Sequence, residues 1–412
     1  MLFNTVKPQP RLIGLILLGA AALLASGCRP SGIEELSSNE LFTLEFGKME
    51  DQLDLFQIKG ELLSTKNRLI MRDGLFYLAN GNSSKIMEFS SYGDLIFLLY
   101  NSNTNPKPVS FNPDSSADLA ATRQAVTYPL MSIGEIAVDS EKHLYVEDAV
   151  PEERQVKDKE LGVVLNRSVL RFDRHGKLTY FIGQEGMGGT PFPFIDGLYV
   201  TEKDELVVIC RTSRSWLVFW YSRQGTLLYQ VEIDLKNLPL PQKDAIPMVA
   251  KIHPDLRQPL LYLMLYYFQN TIDESTKSTS SVKNLPARIY SLALDSGRYG
   301  NYLEVPQDGF RKELVGTKQI EVPFPSYELL GVSGGGYFFL LRAEDQNLYQ
   351  LLILNDKGRI VNRRVMVIED SELYFKSVRL SSTGIIYALL CQEYGAKILW
   401  WRSDKLLREE KE

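Results

Sequence analysis

The chain is poor in the residues that build metal and redox sites. Its 412 residues include only three histidines and three cysteines. We expect His143, His175 and His253 to lie in three different structural units, and this spacing argues against a histidine-rich zinc or iron site. The sequence also has no G-x-S-x-G, P-loop or H-E-x-x-H motif. It therefore predicts no metal, no cofactor and no catalytic residue.

The charge pattern gives no sign of a nucleic-acid partner. The formal net charge is −5 at pH 7, and Lys and Arg form no dense stripe that could follow a phosphate backbone. With 44% hydrophobic and 24% charged residues, the composition is that of an ordinary globular protein. This excludes a mainly disordered chain.

Long apolar runs are absent except near the N-terminus. Lys7 and Arg11 precede an apolar run over residues 12–24, and small residues then lead to Cys28. A run of about 13 residues is too short to span a bilayer and is typical of a signal peptide. The segment 24–28, Leu-Ala-Ser-Gly-Cys, resembles the lipobox of bacterial lipoproteins, although Ala25 stands where Leu is more common. The resemblance implies a signal peptide over residues 1–27 and lipid on Cys28.

A lipid anchor on Cys28 implies an exported protein held on a bacterial membrane, on the periplasmic side or at the cell surface. The sequence does not distinguish the inner from the outer membrane. Residues 28–40 would form a lipidated tether. Cys210 and Cys391 are the remaining cysteines, and we expect them to be buried free thiols on opposite sides of the fold.

One submotif returns six times after residue 40. It consists of an apolar strand, a polar turn, usually with glycine, and a second apolar strand. Its first strands are residues 85–89, 168–172, 216–221, 289–294, 348–354 and 397–401. Each copy follows a second hairpin with a short polar turn, so every unit has four strands, a to d. Six such units predict an all-β, six-bladed β-propeller over residues 41–405, followed by a charged tail over 406–412. The last unit lacks a fourth strand, and we expect residues 41–46 to complete it and close the ring.

The segments Val138-Asp139 and Leu144 to Asp148, with Gly188 to Phe192, resemble the NHL-type propeller repeat. Together with the lipobox, they make the chain similar to propeller lipoproteins of spirochaetes. That resemblance implies a fold and a location in the cell envelope, but it implies no activity.

The loops of this fold are unequal on its two faces. The a–b and c–d turns are short and define what we name the short-turn face. The b–c loops and the d–a crossings define the long-loop face, which carries the long segments 101–130, 147–167, 184–194, 234–247, 268–288 and 306–325. For the insertions at 147–167 and 268–288, ordered binding loops and disorder are both compatible with the composition. Because residue 41 enters from the short-turn face, we expect the long-loop face to point away from the membrane.

Two functions fit this organisation. The first is a non-catalytic scaffold in the cell envelope that binds a protein partner at the long-loop face. The alternative is a calcium-dependent hydrolase or lactonase in the central channel, for which Glu185 and Asp196 are the candidate acidic residues at the channel mouth. The sequence identifies no binding residue for a partner.

Overall fold

A computed structural model describes residues 32–56, 66–111, 123–272, 279–307, 309–315 and 318–407. The predicted signal peptide, Cys28 and residues 408–412 of the predicted tail lie outside these ranges. Within them, no helix has the length and hydrophobicity needed to cross a membrane.

The described chain is almost entirely β-structure, arranged as six antiparallel four-stranded blades. A first strand, β1 (Ser38–Leu44), precedes the blades. The first three blades contain the following strands: in blade 1, β2 (Asn67–Arg72), β3 (Leu75–Asn80), β4 (Lys85–Phe89) and β5 (Leu95–Tyr100), with β6 (Gln124–Thr127) added in parallel; in blade 2, β7 (Ile136–Val138), β8 (Leu144–Ala149), β11 (Arg167–Phe172) and β12 (Leu178–Gly183), with β9 (Val156–Asp158) and β10 (Val163–Leu165) inserted and β13 (Gly186–Met187) at the edge; in blade 3, β14 (Phe194–Val200), β15 (Leu206–Arg211), β16 (Ser215–Tyr221) and β17 (Leu227–Asp234).

The second half repeats this order. Its strands are, in blade 4, β18 (Ile246–Pro254), β19 (Leu260–Ile272), β20 (Thr279–Ala293) and β21 (Tyr299–Glu304); between blades, β22 (Phe310–Val315) and β23 (Lys318–Pro323); in blade 5, β24 (Glu328–Val332), β25 (Phe338–Asp345), β26 (Leu348–Leu354) and β27 (Ile360–Val367); in blade 6, β28 (Phe375–Leu380), β29 (Ile386–Gln392) and β30 (Gly395–Trp401). Short 3-10 turns lie at Glu152–Arg154, Asp370–Glu372 and Ser403–Leu407. The predicted all-β propeller is confirmed.

The N-terminal strand closes the ring, as the sequence predicted. β1 pairs antiparallel with β30 as the fourth strand of blade 6, from Ser38 opposite Trp401 to Leu44 opposite Ala396. It starts at Ser38, three residues before the predicted position. At the other end, Leu406 is buried inside the last 3-10 turn, so the predicted tail begins later than residue 406.

The core consists of apolar layers between neighbouring blades. All seven residues of β16, from Ser215 to Tyr221, are buried, and Trp220 and Tyr267 belong to the layer shared by blades 3 and 4. The aromatic runs therefore serve blade packing, because flat rings fill the space between twisted sheets.

The c–d turns pack against the outer strand of the preceding blade. A Cβ atom on Gly93 would lie 2.8 Å from Cβ of Phe42 in β1, and one on Gly176 would lie 2.8 Å from the Phe97 ring in β5. Both glycines also have positive φ, +87° and +78°. Glycine is needed at these turns for backbone conformation and for space, and Phe42 thereby connects blade 6 to blade 1.

The described parts of the long insertions contain paired β-strands. Residues 147–167 contain the hairpin of β9 and β10, and residues 268–272 and 279–288 continue β19 and β20 beyond the blade as paired strands. A third hairpin, β22 with β23, lies in the crossing from blade 4 to blade 5. All three stand on the long-loop face, which is therefore built from β-hairpins.

Candidate functional site

Two buried glutamates lie at the long-loop end of the propeller axis. Glu135 precedes the inner strand of blade 2 and is 2% exposed, and Glu147 lies in the next strand and is 0% exposed. The Glu147 carboxylate accepts a hydrogen bond from the Glu135 backbone N–H at 2.7 Å. The first hairpin of blade 2 therefore fixes the Glu147 carboxylate beside the backbone of Glu135.

Cations from blades 1 and 6 neutralise these carboxylates. Arg68 Nε lies 2.5 Å from Glu135 Oε1, and Arg379 lies 3.2 Å from the other oxygen. Lys66 Nζ donates to Glu147 at 2.8 Å and to the backbone oxygen of Ile195 in blade 3 at 2.6 Å. Burial alone would raise the pKa of Glu135, but Arg379, Arg68 and Lys66 together lower it below its ordinary value. The network joins blades 1, 2, 3 and 6, and we name these five side chains, Glu135, Glu147, Lys66, Arg68 and Arg379, the axial network.

Beside the axial network, a cavity of about 890 Å³ opens between the inner strands of blades 3 to 6. Its wall includes Tyr199, Lys251, Tyr349, Lys376 and Tyr387. Lys376 donates to the hydroxyl of Tyr349 and, at 2.8 Å, to Asp370. Within the described ranges, no group of three or more His, Cys, Asp or Glu side chains is arranged to hold a metal ion.

His253 belongs to the wall of the same cavity. Its ring packs edge-on against Tyr199 at 4.8 Å, and Nδ1 lies 2.7 Å from the backbone oxygen of Pro254, so Nδ1 carries the proton. Burial lowers the pKa of His253 to about 4. At neutral pH the side chain is an uncharged structural group.

The acidic residues predicted at the channel mouth lie apart. Asp196 is on the inner strand of blade 3, with Oδ1 4.0 Å from Arg211. Glu185 lies in the turn after the outer strand of blade 2, where its carboxylate accepts the Thr190 backbone N–H at 2.7 Å. The expectation that Glu185 reaches the channel mouth is wrong, because β13 folds back along β12 and holds this turn at the rim.

The placement of the histidines is corrected in part. His143 and His175 lie in the same blade, on the a–b and c–d turns of blade 2, and both line one groove on the short-turn face. His143 Nδ1 is 2.8 Å from Asp139, and His175 Nε2 accepts from Arg174 at 3.1 Å. Each of these contacts lies within its own turn. The prediction of three different blades failed because the two hairpins of one unit are more than 30 residues apart along the chain.

The two cysteines lie where they were expected. Cys210 and Cys391 are both 0% exposed, on the second strands of blades 3 and 6, and neither forms a disulfide. Burial raises the pKa of both thiols, that of Cys391 to about 12.

The long-loop face carries most of the large apolar side chains that are exposed to solvent. At strand ends and in loops on this face they are Met49, Val109, Met131, Val156, Val164, Phe194, Leu240, Ile246, Met248, Val282, Leu348, Val367, Tyr374 and Tyr394. Tyr92 stands on a short turn of the opposite face, and Met187, Leu228, Tyr302 and Ile360 lie on outer strands. Where such side chains lie next to one another, they mark an interaction site.

One part of this face is aromatic. Phe46 packs edge-on against Phe56 at 5.2 Å, and Phe56 packs in the same way against Tyr374 at 5.5 Å. Tyr394, in the b–c turn of blade 6, is 89% exposed. Large, rigid side chains of this kind supply much of the binding energy in protein interfaces.

Sequence reasoning missed the axial network. The available signal was a charged residue between apolar ones on an inner strand, as in Val378, Arg379 and Leu380 of β28 and in Arg68 beside Leu69 of β2. That pattern marks side chains facing the channel, but it does not pair a glutamate with an arginine 244 residues later.

No protein-family model matches the chain, and no curated protein matches its sequence. Solved structures with similar folds include a polysaccharide lyase (8% identity, 90% of this chain and 99% of that chain, TM-score 0.42) and a gluconolactonase from Xanthomonas campestris (11%, 90% and 97%, 0.38). The β-propeller domain of the Trilobed protease from Pyrococcus furiosus is another (7%, 82% and 96%, 0.35). At these identities the likeness concerns the propeller architecture and not an activity.

Proposed function

We propose that this protein is a lipid-anchored bacterial envelope protein whose propeller acts as a non-catalytic binding scaffold for a protein partner. The partner binds the long-loop face. The observation that carries the proposal is that most of the exposed large apolar side chains lie on that face, including Tyr374 and Tyr394 of blade 6.

The anchoring part of the proposal is supported by the N-terminal sequence. Lys7 and Arg11, the apolar run at 12–24 and Cys28 after small residues have the order of a lipoprotein signal. The first described residues then enter the fold from the outside of the ring, where an anchor would not obstruct the long-loop face. We include in the proposal a relationship with the NHL-like propeller lipoproteins of spirochaetes, which rests on the lipobox and the repeat segments around Asp139 and Gly188.

The axial network favours a scaffold over a calcium-dependent hydrolase or lactonase. A calcium site needs several oxygen ligands with uncompensated negative charge. Here Glu135 is held by Arg68 and Arg379, and Glu147 by Lys66, so the buried carboxylates at the axis already have internal cations. Binding a divalent cation would require these ion pairs to break.

A pair of tyrosines tests the binding face. Tyr394 on the long-loop face and Tyr92 on the short-turn face are 89% and 87% exposed. Each tyrosine is replaced in turn by the photo-crosslinking residue benzoylphenylalanine in the full chain. Each variant is expressed in a bacterium, and the native membranes of that bacterium are irradiated. We expect a discrete protein adduct from position 394 and none from position 92.

Labelling with radioactive palmitate in the same cells tests the anchor, with Cys28→Ser as the control. Loss of label and release from membranes in Cys28→Ser are the expected results. Equal protein adducts at positions 92 and 394, or no adduct at either together with a hydrolase activity that calcium restores, would refute the scaffold.

A further inference from the structure

The chain enters the fold on blade 5, before it reaches blade 6. Leu36 N–H donates to the backbone oxygen of Val365 at 2.8 Å, and Val365 N–H donates to that of Glu34 at 3.0 Å. Glu35 forms a parallel bridge with Val365, and the Glu34 carboxylate lies 3.2 Å from Arg364. Residues 34–36 are thus added to β27, the outer strand of blade 5, and Leu36 packs against the core shared by blades 5 and 6.

This attachment shortens the predicted tether. Residues 28–40 were expected to link the anchor to the fold, but the hydrogen bonds at 34–36 and the pairing of β1 from Ser38 fix the second half of that segment. Only residues 29–33 separate Cys28 from the first fixed residue. Six Cα steps from 28 to 34 reach at most about 20 Å, whereas a globular domain of this length is on the order of 50 Å across.

The strand direction shows from which side the chain approaches blade 5. β27 starts at Ile360, next to the c–d turn of residues 355–359, and runs toward the long-loop face. Because Glu34 to Leu36 run parallel to it, the chain reaches Glu34 from the direction of that c–d turn, which lies five residues before Val365, roughly 16 Å back along β27. Because a tether of about 20 Å covers that distance, the Cys28 lipid can reach the c–d turn of blade 5.

From these contacts we infer that the short-turn side of blade 5 rests on the headgroup layer of the membrane that holds the Cys28 lipid. This inference depends on the proposed anchoring. The propeller is then tilted, with blade 5 down and blade 2, opposite in the ring of six, away from the bilayer. The long-loop face stays open to a partner.

The surface at this place suits phospholipid headgroups. The c–d turn of blade 5 exposes Lys357 and Arg359 against a single acidic residue, Asp356, and Ile360 beside them is 46% exposed. Cations close to an anionic leaflet are attracted to it over about a Debye length, and an exposed apolar side chain inserts readily among headgroups. A short tether keeps both within that range.

Two equivalent turn positions test the tilt. Arg359 in blade 5 and Lys177 in blade 2 are both exposed, and both follow the turn glycine. Changing either residue to cysteine removes one positive charge. The full-length lipidated protein carrying Arg359→Cys or Lys177→Cys is labelled with a donor fluorophore and reconstituted into vesicles of phosphatidylethanolamine and phosphatidylglycerol with acceptor-labelled headgroups. We expect energy transfer at position 359 to exceed that at 177 at least two-fold, and a 20-residue Gly-Ser insertion after Arg29 to abolish the difference.

Palmitate incorporation is measured on the same samples. Label present with equal transfer at 359 and 177, or a difference that survives the insertion, overturns the tilt and leaves the anchor intact. Absence of palmitate overturns the anchor and, with it, the inference. Greater transfer at position 177 would show the opposite tilt and also contradicts the proposal.

Discussion

Arg379 in blade 6 lies 3.2 Å from Glu135 in blade 2, so an ion pair spans the propeller axis between residues 244 positions apart in the chain. Arg68 of blade 1 binds the other oxygen of the same carboxylate. Three blades around the point of ring closure thus share one buried charge, in addition to the strand pairing between β1 and β30. Ring closure is therefore stabilised by ion pairs at the axis and by strand pairing at the rim.

Glu135→Gln should destabilise the protein strongly. The amide cannot neutralise Arg68 and Arg379, and breaking a buried ion pair by removing one partner costs about 3–5 kcal/mol. Urea unfolding of the full chain in detergent, followed by tryptophan fluorescence, measures the loss. The exposed pair of Glu40 with Lys397 gives the control, because Glu40→Gln should have little effect. Equal effects of both changes would contradict a special role for the axis.

The pH dependence of that variant has a definite sign. The folded-state pKa of Glu135 lies below its ordinary value of 4.5, so its stabilising contribution is complete above pH 4.5 and is lost as pH falls through the folded-state value. The difference in unfolding free energy between wild type and Glu135→Gln should therefore be constant from pH 7 to 5 and shrink below 4.5. A difference that grows on acidification would rule out this account.

Phe42 should be the residue of β1 that contributes most to packing blade 6 against blade 1. Its ring packs against Phe89 at 5.4 Å and Phe76 at 6.0 Å, and its Cβ faces the turn at Gly93. Phe42→Ala should lower the unfolding free energy by about 2–4 kcal/mol, since a large aromatic contact between blades is lost. Thr43→Ala, next to it on the exposed side of the strand, is the control. Hydrogen exchange of the β30 amides should accelerate in Phe42→Ala only.

The propeller could be predicted because its repeat is local. The polar turns with glycine, such as those at Gly93 and Gly176, recur between apolar strands, and one strand missing at the C-terminus matches one extra strand at the N-terminus. Closure by β1 follows from that count, since an unpaired sheet edge is unfavourable.

The axial network and the attachment of Glu34 to blade 5 could not be predicted in this way. Both depend on the distance between side chains or strands that are far apart in sequence, and neither Glu135 nor Val365 stands in a distinctive motif. The misplaced Glu185 has the same origin, because the backward fold of β13 is decided by pairing of two residues with β12.

His253 should make the protein less stable in mild acid. Its folded-state pKa is about 4 against an ordinary 6.5, so between these values the unfolded chain binds more protons and stability falls as pH falls. At pH 5 this single group should cost about 2 kcal/mol relative to pH 7.5. In His253→Gln the unfolding free energy should change less over that range, whatever its value at neutral pH. An unchanged slope in His253→Gln would exclude this origin.

The thiols of Cys210 and Cys391 should be unreactive in the folded protein. Both are 0% exposed, and burial raises the pKa of each, so almost no thiolate exists at pH 8. Iodoacetamide at pH 8 should leave both unmodified for hours in the native protein and alkylate both in 6 M guanidinium chloride, as read by peptide mass spectrometry. Phe42→Ala should expose Cys391 before Cys210, because Cys391 belongs to the core layer that β1 covers. Alkylation of both cysteines at equal rates in that variant would show that the ring opens as a whole and not at its closing blade.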